Sequence, residues 1–134
     1  MDCDEEVCRE TTPLSGEGFA VDYEAECPPD RTRVGRAGWS LLHTMAAHYP
    51  ENPDSSTQET FSRFIHSFAR VFPCKSCAYH FRKSIAKEPP KVESRESLSN
   101  WVCVMHNKVN KVLQKPIFPC DTKSLDNRWL SSKD

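Results

Sequence analysis

Phe72-Pro73-Cys74-Lys75-Ser76-Cys77 sets two cysteines three positions apart, directly after a proline, where a helix can begin. With two residues between them, the thiols can close a disulfide at little backbone cost. At a helix start the unpaired N–H groups and the positive end of the dipole favour a thiolate. Lys75 adds positive charge beside them. The pair can therefore cycle between dithiol and disulfide through a mixed disulfide with another thiol. Three other uses of the same residues stand beside this one. Cys74, Cys77 and His80 would supply three ligands of a structural zinc site, although the usual second knuckle is missing. A thioredoxin-like motif would need strands around it. A purely structural bridge fits poorly with an exposed helix start next to a lysine.

About thirty residues later lies Trp101-Val102-Cys103-Val104-Met105-His106-Asn107-Lys108-Val109-Asn110. Cys103, His106, Asn107 and Asn110 fall at i, i+3, i+4 and i+7, so they share one strip of a helix. Trp101 lies at the edge of that strip, which is expected to turn away from the centre of the helix's apolar stripe. An imidazole, two amides and a thiol in a row can stack against and hydrogen-bond a flat, polar-edged ligand. Ordinary surface polarity would read the same way. Cys103 and Cys120 are 17 positions apart. A bridge between them would tie the segment after Lys115-Pro116 back to the helix, worth about 3 kcal/mol by loop closure. Two unrelated thiols are equally compatible with the spacing. Trp39 and His43 sit one turn apart, either as core residues or as the facing wall of the same pocket.

Positioning these groups requires helices. Trp39, Leu42, His43 and Ala46 recur at helical spacing, with Leu41 and Met45 beside them, and Tyr49-Pro50 should close that helix. A second should begin after Pro53, where Ser56-Thr57-Gln58-Glu59 has capping-box spacing. Its stripe is Phe61, Phe64, Ile65, Phe68 and Phe72, and Pro73 ends it. A third runs from Cys74 to about Lys87, before Pro89-Pro90. Ser94 should cap a fourth, with a core stripe of Leu98, Trp101, Val102, Met105, Val109 and Val112 and a break at Lys115-Pro116. A short fifth helix is expected over 124–130. Without an alternating pattern or a hairpin signal, the expected fold is all-α, a four-helix bundle with a short fifth helix. Residues 1–30, rich in acids, glycine and proline, read as a flexible N-terminal tail, and 31–134 as the folded domain.

The composition narrows the function. Formal net charge is −1 with no basic block, which argues against a nucleic-acid partner. No apolar run approaches the roughly 20 residues of a membrane span. The acidic start, Met1-Asp2-Cys3-Asp4-Glu5-Glu6, lacks the apolar core of a secretory signal and the arginines of a transit peptide. The chain is therefore expected to be made in the cytosol and to stay there or cross a membrane by an unconventional route. Seven cysteines in 134 residues favour an oxidising compartment, and the odd count leaves one thiol free, catalytic or bridged to another chain. Only 37 % of residues are apolar, so a cofactor, disulfides or a second subunit should support a modest core.

From about Cys27 to Trp129 the sequence resembles the Erv/ALR family of flavin-dependent sulfhydryl oxidases. The resemblance rests on Cys27-Pro28-Pro29-Asp30-Arg31, Gly35-Arg36, Trp39-Ser40-Leu41-Leu42-His43-Thr44, Phe64-Ile65-His66 and Phe72 through Ala78. It continues through Trp101 to Cys120 and ends with Arg128-Trp129. It implies an FAD-binding helical bundle, usually a homodimer. By that resemblance Cys74 meets the substrate thiol, and Cys77 lies beside the flavin ring and passes two electrons to it. Arg31, Gly35, Arg36, Trp39, His43, Cys103, His106, Asn107, Asn110, Lys115, Arg128 and Trp129 are implied FAD contacts, and no metal is expected. Cys103–Cys120 is the implied structural disulfide. The final acceptor would be oxygen, giving hydrogen peroxide, or cytochrome c. The substrate would be a thiol-containing protein, such as an import oxidoreductase of the mitochondrial intermembrane space, which is also the expected location, with the cytosol as the alternative. The chain departs from the family pattern at two places. The C-terminal Leu130-Ser131-Ser132-Lys133-Asp134 offers Cys27 no cysteine partner, and the possible shuttle pair, Cys3 and Cys8, has four intervening residues instead of two. Two readings of another kind remain beside the oxidase: a thiol-rich helical binding module, with or without a stabilising zinc, and an electron-relay subunit that reacts poorly with oxygen.

Overall fold

A computed structural model describes residues 28–131. The expectations for the tail, the Cys3/Cys8 shuttle and Cys27 lie outside the described residues. The chain divides into two units, Met1–Ala37 and Gly38–Asp134. In the first, the Asp30 carboxylate accepts the Arg33 N–H at 2.8 Å and opens helix α1, Arg31–Ala47.

The second unit continues α1 and holds α2 (Ser55–Val71), α3 (Lys75–Lys87), α4 (Arg95–Val112) and α5 (Thr122–Trp129). All regular structure among the described residues is helical, as the sequence pattern requires. Each start is closed by one device: a side chain three residues back accepts an otherwise unpaired N–H. Asp54 takes the Thr57 N–H at 2.7 Å, Ser94 the Ser97 N–H at 3.1 Å, and Asp121 the Ser124 N–H at 3.0 Å. Ser94 is the cap anticipated from sequence. At α2 the cap is Asp54, upstream of the anticipated Ser56 box, because its carboxylate stands three residues before Thr57.

The exit of α4 also differs from expectation. It ends at Val112, ahead of Lys115-Pro116. Gln114 adopts φ 56°, which lets its own N–H reach the Lys111 carbonyl at 3.2 Å and the Lys115 N–H reach the Asn110 carbonyl at 2.8 Å. These paired bonds form a Schellman closure, which usually employs glycine at the left-handed position.

The core packs Leu42 and Ala46 of α1 against Ile65 and Ala69 of α2, Ile85 of α3, and Leu98, Trp101, Val102 and Met105 of α4. Phe61, Phe64, Phe68 and Phe72 run along α2 as a ladder with ring centroids 5.4 to 6.0 Å apart. Gly38 permits α1 to approach this ladder, since a Cβ there would lie 3.2 Å from the Phe72 ring. Polar groups tie the helices together. Tyr49 Oη donates to the Val92 carbonyl at 2.8 Å, Trp101 Nε1 to the Glu88 carbonyl at 3.0 Å, and Arg82 to the Ala69 carbonyl at 3.0 Å. Arg95 grips Asp126 of α5 through both terminal guanidinium nitrogens and also reaches the Ala47 carbonyl.

Two expectations about burial fail. Val109 and Val112 are 37 % and 81 % exposed, although they continue the apolar stripe of α4. Conversely, Cys103 and Asn110, on the strip expected to face outward, are buried. The chain after α4 turns back and lays Phe118 and Cys120 along that strip, where Cys103 bonds to Cys120. Cover from a returning segment, unlike periodicity, is a tertiary outcome. Leu41 is likewise half-exposed.

Candidate active site

Cys74 is the N-cap of α3. Pro73 cannot continue α2, so the chain restarts here, and Cys74 Sγ accepts the Cys77 N–H at 3.3 Å. Cys74 and Cys77 form a disulfide with Cα atoms 5.2 Å apart. Cys74 is 8 % exposed and Cys77 somewhat more open. The Ser76 hydroxyl lies 3.6 Å from Cys74 Sγ. A sulfur in this position leaves readily as a thiolate, because the first N–H groups of α3 face it.

Cys77 and Phe81 are one turn apart on α3. Phe81 meets Trp39 of α1 edge-on at 5.9 Å and Trp101 of α4 at 6.4 Å. The dithiol therefore stands one helical turn from a wall of rings. In that wall Trp39 stacks on His106 at 4.4 Å with an interplanar angle of 7°. His43 stacks on Trp129 at 4.4 Å and 2°. The two histidines join these stacks through a hydrogen bond of 2.8 Å between His43 Nε2 and His106 Nδ1. Residues from α1, α4 and α5 thus converge: Trp39 and His43 face His106, while Trp39 also packs against the core and His43 is buried.

Both imidazoles are held neutral. Burial pushes His43 down to about 3, with smaller contributions from His106 and from Arg128. Burial first, then Arg128 and Lys115, brings His106 down to about 4. One ring donates its single N–H and the other accepts it, so the pair makes no charge of its own at neutral pH. Arg128 supplies the cation. Its guanidinium lies 4.4 Å over Phe118 and 4.7 Å over Trp129.

Asn107 acts on the backbone. Its Nδ2 donates to the Phe118 carbonyl at 2.8 Å, and the Phe118 N–H donates to its Oδ1 at 3.0 Å. Asn110 Nδ2 donates to the same oxygen at 3.3 Å. Cys103 and Cys120 close the second disulfide, with Cα atoms 5.6 Å apart. Amides and bridge together hold the returning segment, and with it the ring under Arg128. The sequence reading missed Phe118 and Phe81. A signal existed for Phe118 in its place between Pro116 and Pro119-Cys120, but none existed for its pairing with Asn107.

Arg31, Gly35 and Arg36 lie in the opening turns of α1. Lys115 is exposed just past the Schellman closure. The donor set suits a large planar group with polar edges and anionic parts. Stacked rings offer faces, Arg128 and Lys115 offer charge, and Trp129 Nε1 is buried without a hydrogen-bond partner among the described residues, an unusual state for an indole N–H. FAD fits this description. Among the described residues, no group of three or more histidine, cysteine or acidic side chains is arranged to hold a metal ion.

An all-helical domain with a dithiol at a helix start, one turn from an aromatic and imidazole wall, defines a class of thiol-redox protein. Sequence and fold comparisons agree on the family. The Erv1 / Alr family matches residues 36–130. The mitochondrial FAD-linked sulfhydryl oxidase ERV1 of Saccharomyces cerevisiae is 42 % identical over 129 residues, which cover 92 % of this chain and 67 % of the relative. The mitochondrial FAD-linked sulfhydryl oxidase erv1 of Schizosaccharomyces pombe is 45 % identical over 98 residues, 72 % of this chain and 54 % of the relative. The crystal structure of the yeast Erv1 core superposes with a TM-score of 0.75 at 40 % identity, covering 92 % of this chain and 99 % of that one. That of the FAD binding domain of Erv1 from Saccharomyces cerevisiae gives 0.74 at 41 %, with 80 % and 100 % covered. This chain belongs to the Erv1 / Alr family. It spans about two thirds of the first relative's length and about half of the second's.

Proposed function

We propose that the chain is an FAD-linked sulfhydryl oxidase that forms disulfides in thiol-containing proteins. The observation that carries this reading is the Cys74–Cys77 disulfide at the start of α3, one turn from the ring wall. A substrate thiolate attacks Cys74 Sγ and breaks the bond to Cys77, which leaves as a thiolate. A second substrate thiolate then attacks the mixed disulfide and releases Cys74. The N–H groups opening α3 stabilise that leaving thiolate. Cys77 is the sulfur nearer Phe81 along the helix and so faces the cofactor side.

When bound, FAD supplies a two-electron acceptor that is reoxidised by oxygen or cytochrome c. Trp39, His43, His106 and Trp129 would offer it ring faces, and Arg128 and Lys115 would meet its phosphates. The resemblance to the family adds Arg31, Gly35 and Arg36 as further contacts. Asn107, Asn110 and the Cys103–Cys120 bridge hold the segment that closes the site. The folded FAD-binding domain is residues 31–134. Its location is mitochondrial, as the names of two relatives suggest for those proteins, and more narrowly the intermembrane space. There an import oxidoreductase is the substrate, Cys3 and Cys8 relay electrons, and the enzyme works as a homodimer.

The test is the visible spectrum of the purified protein before and after anaerobic addition of a dithiol. A flavin spectrum that bleaches and recovers in air is expected, and Cys77→Ser should abolish the bleaching. A colourless folded protein containing zinc would instead establish the binding module.

A further inference from the structure

Between Glu59 and Glu88 the sequence has no acidic residue, yet it holds Arg63, Arg70, Lys75, Arg82, Lys83 and Lys87. The redox disulfide lies in the middle of this interval. Among the described residues only Arg63 of these cations forms an ion pair, with Glu59. Lys75, Tyr79 and Lys83 follow at i, i+4 and i+8, an exposed stripe that leads away from Cys74 along α3. Lys83 Nζ sits 5.0 Å over the Tyr79 ring. The bond from Arg82 to the Ala69 carbonyl holds α3 to the end of α2, where Arg70 and Val71 are exposed. Val71 is 76 % and Tyr79 49 % exposed, two apolar groups within a field of positive charge.

We infer that Arg70, Val71, Lys75, Tyr79 and Lys83 form a docking surface for an acidic, cysteine-bearing polypeptide segment, the chemistry of residues 2–10 of this chain. That stretch, Asp2-Cys3-Asp4-Glu5-Glu6-Val7-Cys8-Arg9-Glu10, carries five acids to one arginine, one apolar side chain and two thiols. Its charge is opposite to that of the surface, and its valine matches the Val71 and Tyr79 patch. Because Cys74 is nearly buried, exchange favours a thiol already held beside it. The inference rests on the oxidase reading and adds what the active site recognises: charge around the thiol.

The test separates binding from turnover. A fluorescent peptide of residues 1–12, with Cys3→Ser and Cys8→Ser, is titrated into the full chain at low salt. The chain carries Asp2→Asn, Asp4→Asn, Glu5→Gln, Glu6→Gln and Glu10→Gln, so its own segment does not compete. We expect binding that weakens with added salt and is about fivefold weaker with Arg70→Gln/Lys83→Gln, but not with Lys111→Gln. A peptide with its five acids amidated should bind weakly. Equal binding of both peptides, no binding, or an undiminished signal with Arg70→Gln/Lys83→Gln overturns the docking surface. Dithiothreitol oxidation by the same proteins reports on the oxidase reading. Charge-dependent binding without turnover keeps the surface and sinks the oxidase, while turnover without such binding does the reverse.

Discussion

His43 and His106 carry the clearest residue-level consequence. Free histidine has a pKa near 6.5, whereas burial holds these rings near 3 and 4. Their folded values are depressed, so the unfolded chain binds more protons between pH 6.5 and 4. The stability they retain as neutral groups is complete above pH 6.5 and is lost as the pH falls towards 4. The thermal midpoint should therefore drop between pH 7 and 4.5. His106→Gln should flatten this slope, read by differential scanning calorimetry at matched ionic strength. An unchanged slope would mean that carboxylates elsewhere dominate the acid response. Cys74 is defined as finely by its position. Of the five caps among the described residues it alone is also half of a disulfide, so in the proposed reaction the residue that starts α3 is the residue that exchanges.

Element boundaries yield two predictions of opposite sign. Gln114 occupies a left-handed conformation that costs a side-chain-bearing residue about 1 kcal/mol. Gln114→Gly should raise stability by about that amount, seen as a shift of the urea midpoint at constant slope. Ser94→Ala removes the acceptor of the Ser97 N–H and should cost α4 about 1 kcal/mol. The returning segment depends on Asn107. Asn107→Ala leaves the Phe118 N–H and carbonyl unpaired and should cost about 2 kcal/mol. It should also loosen Phe118 under Arg128, so tryptophan fluorescence from the His43–Trp129 stack should change in the folded protein.

At the scale of the molecule, residues far apart in sequence are clamped together at few points. Removing the bridge with Cys103→Ser/Cys120→Ser should cost about 3 kcal/mol. Arg95→Met should cost about 1–2 kcal/mol through its lost bonds to Asp126 and the Ala47 carbonyl. The two sites share no partner, so their effects should add within about 0.5 kcal/mol in a triple variant. A larger deviation in denaturant unfolding would show that α5 and the returning segment are held as one unit.

The sequence alone determined the helical class, most of the apolar stripes, the Ser94 cap and the dithiol at the start of α3. Each of these is local: a period of 3.6, a proline stop, a side chain three residues from a bare N–H. The same locality explains where sequence reasoning failed. Val109 and Val112 keep the period of α4, yet among the described residues both are exposed. Cys103, Asn107 and Asn110 look outward-facing until Phe118 and Cys120 fold back onto them. The His43–His106 hydrogen bond spans 63 positions and the Arg95–Asp126 pair 31. No periodicity carries such distances. The residue types of the site were legible because its chemistry restricts them. Their convergence was decided only in three dimensions, where burying rings and satisfying buried amides together leaves one arrangement of the helices.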